Sequence, residues 1–362
     1  MKVIIAGGGT GGHLYPGIAL ADEFKARGGE VMFVGTERGI ETRAVPKAGY
    51  PLKLIDVSGI KRVGLVKTLS SLGKLPVSFF QCQAIISEFK PDVVVGVGGY
   101  ASGPMVMVAR TRGLTTAVLE QNSIPGVTNK ILGKVVHKIF GSFEASAKFF
   151  PTHKFVRAGN PVRHALISAP AGQGTGILVL GGSQGARALN QVLPEALAYA
   201  FTQVPAVPVT HQTGEKDVEE TKAAYARAGV TADVRPFIDD MAKAYADAKL
   251  CVCRAGATTC AELTALGRPS ILIPFPQAAD DHQTHNAREL EQAGAAVLMA
   301  QSAATGETLG KVIVDLLKDE AKLKAMGEAA RKLGRPHAAR EIADALQNLA
   351  GVPTTTAQEV RS

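Results

Sequence analysis

The stretch Lys2-Val-Ile-Ile-Ala-Gly-Gly-Gly-Thr-Gly-Gly-His13 decides the fold. A short apolar run, residues 3–6, reads as a buried strand. It enters a glycine-dense turn, and residues 18–27 then carry the apolar spacing of a helix. Gly7, Gly9 and Gly12 satisfy G-x-G-x-x-G. Glycine lets a backbone turn tightly and approach a ligand, and the N-terminus of a following helix favours anions. Taken alone, the loop suits a dinucleotide, or serves only close helix–sheet packing. A dinucleotide site wants an acid at the end of the second strand. Here that strand, residues 31–34, runs into Gly35-Thr36, and Glu37 comes late. The NAD-dependent reading is weakened accordingly.

The same grammar continues outward. Residues 93–96, 116–119, 138–141 and 155–158 read as strands between helical stretches. Residues 176–180 open a second series that ends in the loop Gly181-Gly-Ser-Gln-Gly185. Strands at 209–212, 234–237, 250–253, 271–274 and 295–299 follow it, and helical patterns cover 309–333 and 338–349. Such alternation predicts an α/β protein of two Rossmann-like, doubly wound parallel-sheet domains. We place the domains at 1–160 and 161–336, with a helix at about 337–350 packing back on the first domain and a flexible tail at 351–362. Gly96-Val-Gly-Gly-Tyr-Ala-Ser-Gly-Pro104 is a further strand-to-helix glycine turn. Three such loops suit a site that handles phosphates.

Composition narrows the function classes. The 362 residues are 46% hydrophobic and 20% charged, enough for two cores and too apolar for a disordered chain. Tryptophan is absent and aromatics are few, so base-stacking platforms have little material and no nucleic-acid partner is expected. The net charge of +8 suits phosphate-bearing substrates or an anionic membrane, or is ordinary surface charge. Cys82, Cys251, Cys253 and Cys260 lack zinc-site spacing and read as reduced, buried small hydrophobes. No charged leader and no spanning apolar stretch is evident, so a soluble or peripheral cytoplasmic protein is expected.

Further motifs occur in fixed order: Glu120-Gln-Asn122, Gly159-Asn-Pro-Val-Arg163, Phe237-Ile-Asp-Asp-Met241, Arg254-Ala-Gly-Ala257 with Glu262, and Pro274-Phe275 with Gln283 and Asn286. Together with the glycine loops they resemble the MurG family of peptidoglycan N-acetylglucosaminyltransferases, over residues 1 to about 349. The resemblance implies the GT-B fold, two Rossmann-like domains facing a cleft. It implies inverting transfer of N-acetylglucosamine from UDP-GlcNAc to the C4 hydroxyl of lipid I, forming lipid II for cell-wall growth, cell shape and division. It also implies a peripheral enzyme at the cytoplasmic face of the inner membrane, with other cell-wall synthesis proteins as possible partners.

The resemblance further implies residue roles. The Ile238 backbone would read uracil, Glu262 would take the ribose hydroxyls, and Ser183 and Arg163 would face the diphosphate. Ala257, Thr258 and Thr259 would open a helix beneath it, and Gln283 would bind sugar hydroxyls. Thr10, Gly11, Gly12 and Asn122 would approach the reacting sugar. His13, Gly98, Gly99, Tyr100 and Ser102 would line the acceptor side. Read singly, these residues have plainer explanations. Glu262, placed in the first turn of a helix from 259, would complement its dipole. Arg163 would be a linker charge, and Gln283 with Asn286 a solvated helix face.

His13 is the candidate general base, its unperturbed pKa lying near neutrality. The alternatives are a histidine that orients the loop or binds acceptor phosphate, with Glu120 as the rival carboxylate. No Asp-x-Asp pair occurs, so we expect no cofactor and no obligatory protein-bound metal. Between Val57 and Ser87 there is no Asp or Glu, yet Lys61, Arg62, Lys67 and Lys74 are present, and Leu65, Leu69, Leu72, Phe79 and Phe80 are apolar. This segment suits an anionic phospholipid surface, or a buried amphipathic helix with a basic edge. The family resemblance favours membrane docking. The rivals in function are a UDP-GlcNAc 2-epimerase of the same fold and a non-catalytic UDP-sugar sensor.

Overall fold

The computed structural model describes residues 1–37, 39–57, 65–168, 174–182 and 184–352, with only the helical backbone given for 65–75. Two compact units emerge. One is Met1–Arg163 together with the C-terminal helix, and the other is His164–Pro336.

The first unit holds a seven-stranded sheet of β1 (Lys2–Ala6), β2 (Glu30–Gly35), β3 (Leu52–Leu54), β4 (Val93–Gly96), β5 (Thr115–Glu120), β6 (Lys138–Gly141) and β7 (Phe155–Arg157). Its order is β3-β2-β1-β4-β5-β6-β7, and every pairing is parallel. The strands are apolar on both faces because helices cover both. Alternate residues divide between two cores. Val3, Ile5, Phe33, Val95 and Leu119 face one side, and Ile4, Ala6, Val34, Val94 and Val118 the other. The short edge strand β3 went unread in the sequence, since Leu-Lys-Leu carries too little periodicity to declare itself.

The second unit repeats the plan with six strands. These are β8 (Gly176–Leu180), β9 (Val209–Gln212), β10 (Asp233–Arg235), β11 (Ala248–Cys253), β12 (Ser270–Leu272) and β13 (Ala296–Leu298). Their order is β10-β9-β8-β11-β12-β13, again all parallel. The helical pattern expected over 309–333 is two helices, Gly306–Lys318 and Glu320–Leu333. Asp319 leaves the helical conformation between them and caps the second by accepting from Lys322 N–H.

Helix Ala338–Leu349 returns to the first unit. Ile342, Ala343 and Leu346 join the core of β1 and helix Gly11–Ala26. Burying Ile342 and Leu346 stabilises the docking by roughly 1.5–3 kcal/mol each, and the smaller Ala343 by less. Arg27 reinforces it, donating to Asp344 Oδ1 at 2.6 Å.

Both sheets reverse strand order at their centres, between β1 and β4 and between β8 and β11. Open α/β sheets bind ligands at the carboxyl ends of strands at such switch points. The glycine loops after β1, β4 and β8 lie at those ends.

A buried polar chain braces the second unit. Asn190 Nδ2 donates to Thr213 O and Asp217, so its Oδ1 is an acceptor and takes the Nε2 hydrogen of His211. The remaining ring nitrogen of a neutral His211 then accepts from Tyr225 OH at 2.9 Å. Burial pushes His211 down to about 3. The unfolded chain therefore takes up this proton first as pH falls. His211 costs no stability above its ordinary value of 6.5. Between there and pH 3 it removes about 1.4 kcal/mol per pH unit. Glu120, raised by burial to about 7, acts in the opposite sense between pH 7 and 4.5. Comparison with a His211→Gln protein isolates the histidine. Denaturant unfolding from pH 7 to 4 will show a shallower loss of stability on acidification in that variant, and parallel curves would refute the assignment.

Candidate nucleotide-sugar and acceptor sites

In the first unit two glycine loops meet backbone to backbone. Gly8 N–H donates to Gly98 O at 3.3 Å. Gly98 and Gly99 take φ of 95° and 82°, and a Cβ on Gly99 would strike the Gly8 carbonyl. Ser102 locks the second loop. Its hydroxyl accepts from Gly98 N–H and donates to Ala6 O. Ser102 is fully buried, so it braces the loop from behind, whereas Tyr100 is exposed.

Helix Gly11–Ala26 begins inside the motif itself, with extended Thr10 as its cap residue. Thr10 to His13 therefore occupy the positive end of a sixteen-residue helix, rather than a loop ahead of one starting near Ile18. The His13 ring lies against Gly98, and its Nδ1 is 2.8 Å from Gln121 Oε1.

Glu41 was missed in the sequence, and it underlies the first loop. Its carboxylate accepts from Gly9 N–H at 2.8 Å and from the Thr36 N–H and hydroxyl at 3.0 Å each. The side chain is 1% exposed, and a Cβ at Gly8, Gly35 or Gly39 would collide with it. In place of an acid at the end of β2 the chain carries one turned inward on the loop. No local signal announces it, because the loop residue that it holds, Gly9, lies 32 residues away.

Glu120 is also buried. Its Oε1 accepts from Asn122 N–H and its Oε2 from the Asn129 amide, both at 2.9 Å. Burial raises it to about 7 while these donors pull it down. A value near neutrality suits a general base, yet geometry opposes that role. Both oxygens are engaged and the residue is 1% exposed. Glu120 holds the Asn122 backbone in place. His13 and Asn122 are partly exposed. Arg163, which ends the first segment of this unit, sits 5.8 Å from the Tyr15 ring centroid, a cation over an aromatic face.

The second unit presents its own glycine loop. Gly182 and Gly185 have φ of 86° and 76°. Ser183 lies outside the described residues. Gln212 ties this loop to the next segment: its Nε2 donates to Gly182 O at 3.0 Å, and its Oε1 accepts from Ile238 N–H at 2.9 Å. The Ile238 N–H is thereby occupied.

Helix Ala257–Leu266 starts two residues earlier than the reading from 259. Glu262 consequently lies in its second turn, beyond the reach of a helix-terminus dipole. Its Oε2 instead accepts from the fully buried Tyr245 hydroxyl at 2.9 Å. Ala257, Thr258 and Thr259 form the opening turn. Gln283 Oε1 accepts from Phe275 N–H at 3.0 Å, and Asn286 is fully buried and donates to Ala255 O. The solvated-face reading of this pair fails for Asn286. Arg254 props the same segment, donating to Ile273 O and Pro274 O at 3.0 Å each.

Each unit thus offers a glycine loop and a helix N-terminus at a switch point, with buried polar groups holding exposed ones. Comparison with known proteins agrees over nearly the whole chain. Residues 3–141 match the N-terminal domain of glycosyltransferase family 28, and residues 176–346 match its C-terminal domain. The UDP-N-acetylglucosamine–N-acetylmuramyl-(pentapeptide) pyrophosphoryl-undecaprenol N-acetylglucosamine transferase of Myxococcus xanthus is 51% identical, over 96% of this chain and 93% of its own. Its counterpart in Geobacter metallireducens is 48% identical, over 95% and 97%. The crystal structure of Acinetobacter baumannii MurG superposes with a TM-score of 0.78 at 35% identity, covering 96% of this chain and 99% of that one. A UDP-N-acetylglucosamine 2-epimerase structure, at 14% identity and a TM-score of 0.64 over 97% of each chain, shares the fold alone. The chain belongs to glycosyltransferase family 28 and, within it, to the MurG family of N-acetylglucosaminyltransferases.

Proposed function

We propose that this enzyme transfers N-acetylglucosamine from UDP-GlcNAc to the C4 hydroxyl of lipid I, with inversion, to give lipid II. The observation that carries this reading is the near full-length likeness to enzymes named for that transfer, at about half identity.

The acceptor oxygen attacks the anomeric carbon, the bond to the diphosphate breaks, and UDP departs with the electron pair. Three demands follow: removal of the hydroxyl proton, stabilisation of oxocarbenium-like charge, and neutralisation of the leaving group. His13 takes the proton. Burial and a filled hydrogen-bond shell weigh against Glu120. Thr10, Gly11 and Gly12, with Asn122, position the reacting sugar. In the second unit Glu262, held by Tyr245, accepts from the ribose diol, and Gln283 presents its amide nitrogen to sugar hydroxyls. The loop containing Ser183 and the first turn at Ala257 to Thr259 meet the diphosphate. We read the reaction as independent of a protein-bound metal. No Asp-x-Asp pair occurs, and of the adjacent pair Asp239-Asp240 the second is spent capping helix Met241–Asp247.

Docking on an anionic leaflet completes the reading. Among the described residues no helix is long and apolar enough to cross a membrane. Val77, Phe79 and Phe80 of helix Leu65–Phe89 are exposed, as are Val127 and Ile131. Lys130 and Lys148 flank the half-exposed Phe149 ring at 4.8 and 5.2 Å. Exposed apolar groups among lysines suit a membrane interface. The side chains of Leu65, Lys67, Leu69, Leu72 and Lys74, and all of Lys61 and Arg62, lie outside the described residues.

Incubation with UDP-GlcNAc and a lipid I analogue in excess EDTA will yield the disaccharide lipid. His13→Ala will lower kcat more than tenfold at unchanged donor KM. Donor binding without product would leave only a UDP-sugar sensor, and a smaller loss would remove His13 as the base. Tyr245→Phe frees the Glu262 carboxylate from its anchor, and one hydrogen bond corresponds to about a three- to tenfold rise in donor KM with kcat within twofold. An unchanged KM would argue that Glu262 does not meet the donor. For the membrane, co-sedimentation with anionic vesicles will weaken in high salt and in Phe80→Glu and Ile131→Glu proteins. Binding indifferent to all three would eliminate docking through this surface.

A further inference from the structure

Gln121 lies between Glu120 and Asn122, is 1% exposed, and has no assigned role of its own. Its Nε2 donates to Val97 O at 3.1 Å and to Leu119 O at 3.2 Å. A carboxamide has distinct ends, since only the nitrogen donates. Turning it over would press Oε1 against two buried carbonyl oxygens and take a donor from each, with Leu119 O keeping only its bond from Asn129 Nδ2, a costly arrangement out of water. The two carbonyls therefore fix the amide with Oε1 outward, toward His13. That oxygen is 2.8 Å from His13 Nδ1. An acceptor there demands a hydrogen on Nδ1, and in a neutral imidazole the lone pair then resides on Nε2.

Gly98 completes the seat. A Cβ at that position would lie 2.9 Å from Nδ1, inside contact distance, so a bare backbone is required where the ring rests. Three elements converge on one ring: the turn after β1, the loop after β4 and the end of β5.

We infer that Gln121 is a positioning residue that holds His13 in its Nδ1-protonated tautomer and so presents the Nε2 lone pair to the acceptor hydroxyl. This rests on His13 being the base. The hydroxyl proton passes to Nε2 as the bond from oxygen to the anomeric carbon forms and the bond to the diphosphate breaks. The resulting imidazolium keeps its Nδ1 hydrogen on Gln121, and it returns the Nε2 proton to water after UDP leaves. Without a partner, a free imidazole side chain favours the opposite tautomer, so the amide reverses an intrinsic preference.

The test begins with the unmodified enzyme, labelled with 15N-histidine. His13 signals are assigned by their loss in a His13→Gln protein, and the two ring nitrogens are read by two-bond 1H–15N correlation above the histidine titration range. The expected pattern is a protonated Nδ1 and an unprotonated Nε2, and the reverse pattern overturns the inference without any Gln121 variant. In Gln121→Leu the signals will move toward the Nε2-protonated form, and kcat will fall about tenfold or more with donor KM within twofold. A merely structural role would lower the melting temperature or raise donor KM with the tautomer unchanged, and that outcome also overturns it. His13→Ala that keeps turnover within tenfold strikes the base itself. It removes the catalytic consequence of Gln121 even if the tautomer is as inferred, so the two failures are distinguishable.

Discussion

The first unit depends on two chain segments approaching more closely than side chains allow. At the ends of β1 and β4, Gly8 N–H reaches Gly98 O, and the missing Cβ atoms of Gly7 and Gly99 leave room for the facing backbone. Only glycine accepts both the contact and the positive φ there. Other features rest on this approach. The His13 ring lies on Gly98, and Glu41 sits beneath Gly8 and Gly9. The second unit reaches the same solution at another pair. Gly185 packs on the Thr213 carbonyl and Gly214 on that of Gln184, both glycines at positive φ.

Loops stripped of side chains have few means of holding their shape. Buried polar groups supply what is missing. Three hydrogen bonds to the Glu41 carboxylate and the paired bonds of Ser102 pin the first site. An ionised group away from water is costly unless such donors surround it, so each bond is stronger and each loss larger than at the surface. Glu120 shows the balance directly. Burial raises its carboxyl while amide donors lower it, and their joint effect leaves it a brace for Asn122.

What could be read in the sequence was local. A strand, a glycine run and a helix occupy about two dozen consecutive residues, so the parallel α/β plan and the loops after β1, β4 and β8 were legible. Helix starts were less so. Residues 11–13 belong to a helix although glycine disfavours one, because the turn at a sheet end dictates it. Placing the start of the later helix at 259 made Glu262 look like a dipole partner. Glu41, Gln212 and Tyr245 gave no signal, and Gln121 none beyond its place in Glu120-Gln-Asn122, because the bonds that give them a task span 32, 26, 17 and 108 residues respectively. No window on the chain contains both ends of such a bond. Their residue types are ordinary, and only the fold gives them a task.

Two of those four are glutamines in matching circumstances. Gln121 joins the first-unit loops to His13, and Gln212 joins Gly182 to Ile238. Each is buried and uses both ends of its amide. A carboxylate in either place could only accept, so it would repel the carbonyl oxygens of Val97, Leu119 or Gly182. A lysine or arginine could only donate, and would leave the hydrogens on His13 Nδ1 and Ile238 N without an acceptor. Serine has both functions but not the reach. A neutral side chain that donates at one end and accepts at the other satisfies both constraints, and its direction is set by carbonyls that cannot turn. The orientation of the glutamine thus passes from the rigid sheet to the group it holds, His13 in one unit and Ile238 in the other.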